Sequence, residues 1–85
     1  MLFPHAAMQE LHEWVHEKRI NPELKLMLKH NHCYCLRLKG ATICSLSPPG
    51  DDGLIRCIRW NTTRGRLMDM DDLKEFLIEG GYCRA

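Results

Sequence analysis

The sequence lacks most of the features that assign a small protein to a functional class. It contains no run near the roughly 18–20 apolar residues that a membrane-spanning helix requires. Its first five residues hold no lysine or arginine and lead into no long apolar stretch, so we expect no secretory signal. A glycine-rich phosphate loop and a GxSxG motif are also missing, which argues against P-loop nucleotide binding and serine-esterase chemistry.

Net charge is low too, although the charges are unevenly placed. Twelve lysines and arginines oppose eleven acidic residues, so total charge predicts no particular partner. Residues 31–68 hold six basic and two acidic residues, whereas residues 69–85 hold five acidic and two basic ones. A basic middle and an acidic tail are compatible with pairing inside the fold or with two separate charged surfaces.

The five cysteines are an odd number and follow no secretory signal, so we expect reduced thiols in a cytoplasmic protein. Cys33 and Cys35 lie two residues apart in a strand-like run, on one face, where they cannot easily bridge. Cys44 and Cys57 lie in apolar runs and are expected to be buried as small hydrophobic residues. Cys83 lies near the C-terminus and is expected to be exposed.

Two helices are predicted in the first third of the chain. Residues 5–19 carry one apolar stripe, formed by Ala7, Met8, Leu11, Trp14 and Val15. Residues 22–30 begin at an Asn-Pro pair that suits a helix start, and Leu24, Met27 and Leu28 follow at helical spacing. This spacing predicts a second, short helix.

A third helix is predicted over residues 70–79. Asp69 is a favourable N-cap, and two further aspartates occupy the first turn, where the helix dipole favours acidic side chains. The apolar face consists of Met70, Leu73, Phe76 and Leu77. The Gly80-Gly81 pair ends the helix.

Between the helices, alternating or apolar runs predict strands over residues 33–39, 41–47 and 54–60, with a short fourth over 66–68. Short turns between them indicate antiparallel pairing. The predicted fold is therefore a small single α+β domain spanning residues 1–85, in the order α-α-β-β-β-(β)-α. It has a three- or four-stranded antiparallel sheet with the helices packed on one face.

One motif points to metal chemistry. His12, Glu13 and His16 form an HExxH pattern on a predicted helix, where two histidines one turn apart can chelate zinc and the glutamate can act as general base. The motif begins near the start of the chain, charged residues follow it, and no third-ligand extension exists. We therefore interpret it as fortuitous and expect no cofactor and no catalysis.

A second alternative nevertheless stays open, namely a small zinc-binding protein or a minimal metallohydrolase that uses His12, Glu13 and His16. The ligands available to such a site are His12, His16, His30, His32, Cys33 and Cys35. Structural zinc sites usually carry a CxxC or HxxxH pair in both halves, whereas Cys33 and Cys35 form a CxC pair, which is a weaker chelate on a strand.

A basic segment around the third predicted strand is the other candidate site. It consists of Arg56, Arg59, Trp60, Arg64 and Arg66. Arginines interleaved with an aromatic ring suit nucleic acid, because guanidinium groups bind phosphates and the ring stacks on a base. The near-neutral chain and the acidic helix that follows argue against this hypothesis, so nucleic-acid binding is the alternative and not the first choice.

The leading hypothesis is a small non-enzymatic module that binds another protein, as a regulator, adaptor or inhibitor of phage or mobile-element origin would. It depends on small size, the lack of a convincing catalytic constellation, and separate charged surfaces that can steer a partner. The arginine-rich hairpin and the edge strands of a small open sheet are the expected contacts. A homodimer would also suit a marginal core.

Overall fold

The first helix, α1, spans Ala6–Lys18 in a computed structural model that describes residues 3–30, 33–59 and 65–85. His5 caps it, because its Nδ1 accepts a hydrogen bond of 3.2 Å from the backbone N–H of Ala7. The apolar stripe predicted from the sequence is the buried face, with Met8, Leu11 and Val15 turned into the core. This face fixes α1 against the sheet.

The second predicted helix, residues 22–30, is wrong: the chain forms strand β1 over Leu24–Leu28. Leu24 and Leu26 are buried while Lys25 and Met27 are exposed, which is the two-residue period of a strand. The helical spacing seen in the sequence arises from a short apolar run that satisfies both periods. Pairing with the next strand decides between them.

Four further strands continue the sheet: β2 Tyr34–Leu38, β3 Ala41–Leu46, β4 Ile55–Arg59 and β5 Arg66–Met68. They form a five-stranded antiparallel meander in the order β1-β2-β3-β4-β5, so β1 and β5 are its edges. The α+β class is confirmed. The element order is α-β-β-β-β-β-α and not α-α-β-β-β-(β)-α, and the sheet has five strands where three or four were predicted.

The last helix, α2, spans Met70–Glu79 and agrees with the prediction. The Asp69 carboxylate accepts a hydrogen bond of 2.8 Å from the backbone N–H of Asp72, which is the predicted N-cap. The helix ends at Gly80, and Gly81 follows with φ +82°. Glycine adopts this left-handed conformation at little cost, so the chain can turn back sharply here.

Both helices cover the same face of the sheet, with α1 against β1 and α2 against β5. The core therefore lies between one sheet face and the two helices. Neither helix, within the described residues, is long and apolar enough to cross a bilayer. The opposite sheet face has no layer over it in the described part of the chain, and it carries Lys25, Met27, Cys35, Arg37, Ser45, Arg56, Ile58 and Leu67.

The C-terminal residues return to the end of α1. Cys83 forms an isolated bridge with Arg19, and the backbone N–H groups of Ile20 and Arg84 donate to carbonyls across the same junction. Cys83 is only 1% exposed, so its expected exposure is wrong. The reason is this pairing, which holds the tail against the core where fraying was expected.

Candidate functional site

A groove of about 440 Å³ lies between α1 and the free edge of β1. This volume falls within the range of ligand-binding clefts. The described residues that line it are Phe3, His12, Val15, His16, Arg19, Leu24, Lys25, Leu26, Met27 and Leu28. The lining is mainly aliphatic and aromatic, with its polar groups at the rim.

The groove exists because α1 presents two kinds of side chain at helical spacing. Val15 is buried and packs into the core, whereas His12 and His16 lie beside it and reach the groove. Phe3 also lines the groove, and its ring centroid lies 4.8 Å from that of His12 and 5.4 Å from that of Tyr34, both in edge-on geometry. The His12 ring is therefore held against an aromatic wall.

The backbone of β1 borders the groove with unused hydrogen-bonding groups. The N–H of Lys29 donates to the carbonyl of Cys33, so the backbone N–H and C=O groups of the odd-numbered residues in β1 point towards β2. Direction alternates along a strand, and the even-numbered residues point outwards. Leu24 confirms this, because its carbonyl accepts from the Arg19 side chain at 3.4 Å. Leu26 and Leu28 have no such partner within the described residues.

The charged side chains that line the groove, within the described residues, have one sign. Arg19 and Lys25 carry fixed positive charges at its rim, and His12 and His16 add two imidazoles. No carboxylate is among the described lining residues. Lys25 lines this groove and also a second cavity on the open face of the sheet.

The two histidines of the HExxH motif line this groove, whereas Glu13 is not among its lining residues. Glu13 is exposed and accepts a 3.4 Å hydrogen bond from the Gln9 side chain, one turn back along α1. His12 and His16 line the groove, and His30 is exposed beyond the far end of β1.

The other proposed zinc ligands are dispersed. Cys33 is half-buried just before β2, Cys35 lies buried on the open face of the sheet, and His32 is outside the described residues. Among the residues that the structure describes, no three histidine, cysteine or acidic side chains come together as metal ligands.

The predicted arginine hairpin is present as the paired strands β4 and β5, but its side chains are divided between two faces. Arg56 lies on the open face. Arg59 points to the helix side, where its guanidinium lies 4.8 Å above the centre of the Phe76 ring. Arg66 also faces α2. Trp60 and Arg64 lie outside the described residues.

Arg66 meets the acidic side of α2. It lines a cavity of about 290 Å³ together with Asp72, Glu75 and Glu79. The negative charges of these carboxylates would repel a phosphate group at this end of the sheet. The described arginines therefore do not form one continuous basic surface.

Two buried thiols form a second cluster on the helix-facing side of the sheet. Cys44 and Cys57 lie on the neighbouring strands β3 and β4 and are 0% and 2% exposed. A hydrogen bond from the Cys44 thiol, followed by the charges of Arg59 and Arg66, lowers the pKa of Cys57 against the opposing effect of burial. The same hydrogen bond, together with burial, raises the pKa of Cys44.

Phe3, Arg19, Leu26 and Leu28 line the groove but were not predicted as site residues from the sequence. A signal was present, because Leu24, Leu26 and Leu28 alternate with Lys25 and Met27 in a strand pattern.

Comparisons of the chain with protein-family models, with curated proteins and with solved structures found no match.

Proposed function

We propose that the protein is a non-enzymatic protein-binding module that captures an extended segment of its partner along β1. The observation that carries this proposal is the free β1 edge beside an apolar groove. An extended segment placed there would bond the outward backbone groups of Leu26 and Leu28 and extend the sheet. Its alternate side chains would enter the groove below α1.

The rim charges select the chemistry of the segment. Residues of an added strand that point towards Arg19 or Lys25 meet positive charge, and no described lining residue offers a carboxylate in return. Residues that point into the groove meet Phe3, Val15 and Leu28. The favoured partner is a protein segment in which apolar residues alternate with aspartate or glutamate.

A second copy of the chain is a poorer occupant of this edge. Antiparallel pairing of β1 with itself would place Lys25 of one copy opposite or diagonal to Lys25 of the other. Like charges on neighbouring strands are destabilising. We therefore assign the edge to a different protein, and a module that occupies a partner's strand without chemistry would act as its regulator, adaptor or inhibitor.

A fluorescence-anisotropy titration with synthetic peptides tests the proposal. The probe is a labelled peptide of alternating valine and glutamate, and its controls carry lysine for glutamate or serine for valine. We expect saturable binding of the valine–glutamate peptide and much weaker binding of both controls. Two further peptides carry N-methyl groups on alternate backbone nitrogens, one on the valines and the other on the glutamates. Only one of the two should lose binding, because only one edge of the peptide faces β1.

Matched variants locate the site. Leu28→Asp, at a residue that is 38% exposed at the groove, should weaken binding of the peptide by about tenfold or more, or about 1.4 kcal/mol. Leu67→Asp is the control, because Leu67 is an exposed leucine on the opposite edge strand and should leave affinity unchanged. Failure of the valine–glutamate peptide to bind would contradict the proposal.

Backbone NMR distinguishes the groove from the arginine hairpin. On addition of the valine–glutamate peptide, the amide shifts should move most at Leu26 and Leu28 and least in β5. A parallel titration with random-sequence single-stranded RNA addresses the nucleic-acid alternative. Salt-sensitive RNA binding that is lost in Arg59→Glu would overturn the protein-binding assignment in favour of nucleic acid.

A further inference from the structure

Cys44 and Cys57 are neighbours on the sheet, but they are not directly opposite each other. The residue opposite Cys44 is Arg59, and the residue opposite Cys57 on β3 is Leu46. The two cysteines therefore occupy diagonal positions on the same helix-facing side of β3 and β4. Both side chains are buried there, with exposed fractions of 0% and 2%.

Diagonal spacing suits a bridging atom better than a direct sulfur–sulfur bond. A disulfide needs β-carbons about 3.8 Å apart and an S–S bond of about 2.05 Å. Diagonal neighbours on antiparallel strands lie about 7–8 Å apart, and their β-carbons are somewhat closer than that but farther apart than those of directly opposite residues. Two metal–thiolate bonds of about 2.3 Å each, end to end, span more than twice the length of an S–S bond.

We propose that Cys44 and Cys57 form a two-coordinate binding site for a soft monovalent metal ion, with Cu(I) as the ion that the site would take. Thiolates select soft ions such as Cu(I). Zinc normally requires four ligands, and the described residues offer no third histidine, cysteine or acidic side chain at this pair.

Arginine neighbours balance the charge of such a complex. Binding would replace the two thiol protons, which leave to solvent, and would form two Cu–S bonds without any change in oxidation state. The resulting bis-thiolate complex carries one net negative charge. Arg59 lies opposite Cys44 on β4, and Arg66 lies opposite Cys57 on β5, so both thiolates have a cationic neighbour.

Burial explains why the site would be selective. The two sulfurs lie among the apolar residues of the core, where water and large chelators have little access. The remaining thiols are elsewhere: Cys35 is on the open sheet face, Cys33 precedes β2, and Cys83 lies at the C-terminal bridge. These three cysteines provide internal controls.

An anaerobic competition titration with Cu(I) and the chromogenic chelator bicinchoninate tests the inference. The starting protein carries Cys33→Ala, Cys35→Ala and Cys83→Ala, so that only the pair remains. We expect this triple variant to withdraw one Cu(I) per chain from the chelator. Adding Cys44→Ala or Cys57→Ala should abolish that withdrawal, because one sulfur alone cannot hold the ion against a chelator.

Thermal unfolding gives a second readout that also reports folding. Cu(I) should raise the melting temperature of the triple variant, since a ligand that binds only the folded state stabilises it by mass action. The rise should disappear when Cys57→Ala is added to a protein that still melts cooperatively. Absence of stoichiometric Cu(I), or Cu(I) binding that survives loss of Cys44, would overturn the site. If the triple variant does not fold, the same titration on Cys35→Ala alone, with and without Cys57→Ala, decides the matter.

Discussion

Replacing Leu26 and Met27 in turn by alanine tests whether residues 24–28 form a strand. A helix over this segment would bury Leu24, Met27 and Leu28 and expose Leu26. In strand β1 the order is reversed, because Leu26 is 3% exposed and Met27 is 41% exposed. A strand therefore predicts a larger loss of unfolding free energy for Leu26→Ala, and a helix predicts a larger loss for Met27→Ala.

Burial gives the expected magnitudes. Truncating a buried leucine to alanine typically costs about 2–5 kcal/mol of unfolding free energy. Leu26 lies on an edge strand beside an open groove, where neighbours can relax, so we expect about 2–3 kcal/mol. Met27→Ala should cost less than about 1 kcal/mol, since a large part of its side chain already contacts water. Alanine's weaker strand preference affects both variants and largely cancels.

Urea-induced unfolding followed by circular dichroism measures the difference. A chain of this size has a total stability of roughly 4–13 kcal/mol, so Leu26→Ala should remain folded with a lower midpoint. If the slope of unfolding free energy against urea concentration is unchanged, the substitution has altered stability without altering the surface exposed on unfolding. A larger loss for Met27→Ala than for Leu26→Ala would refute β1 and, with it, the edge on which the proposed function depends.

Three further predictions concern the end of the chain. Asp69→Ala should lose about 1 kcal/mol of unfolding free energy and Asp69→Asn much less, since the amide oxygen can still cap α2; urea unfolding would show equal losses if the cap were unimportant. Gly81→Ala should cost about 1 kcal/mol at φ +82°, and Gly50→Ala, at a glycine without positive φ, should be nearly neutral in the same assay. Burial raises the pKa of Cys83, so its stabilising effect is complete below the unfolded thiol pKa of about 8.5 and is lost as pH rises through the folded pKa. Unfolding free energy should therefore fall more steeply above about pH 8.5 in the wild type than in Cys83→Ala.

Local signals made α2 and the central strands predictable. The carboxylate of Asp69, the acidic first turn and the two glycines all act within a few residues of the helix ends. The strands over residues 34–38 and 55–59 are similarly bounded by turns and by alternation. Where local preference and tertiary packing agree, the sequence contains enough information to place an element.

Tertiary pairing decided the elements that the sequence misplaced. Leu24, Met27 and Leu28 satisfy a helical period, and only pairing with β2 makes the two-residue period dominant. Cys83 shows the same limit, since its burial comes from a bridge to Arg19, 64 positions earlier in the chain. No short window of sequence contains either contact.

The misread segment also explains why the groove escaped prediction. A helix satisfies its own backbone hydrogen bonds, so residues 22–30 as a helix would offer a partner no main-chain groups. The same residues as an edge strand expose outward N–H and C=O groups at Leu26 and Leu28. The expected role of His12 and His16 then changes as well. Their spacing predicted a shared metal, but opposite a strand edge they become the polar rim of a cleft, so their chemistry depends on what lies across from α1.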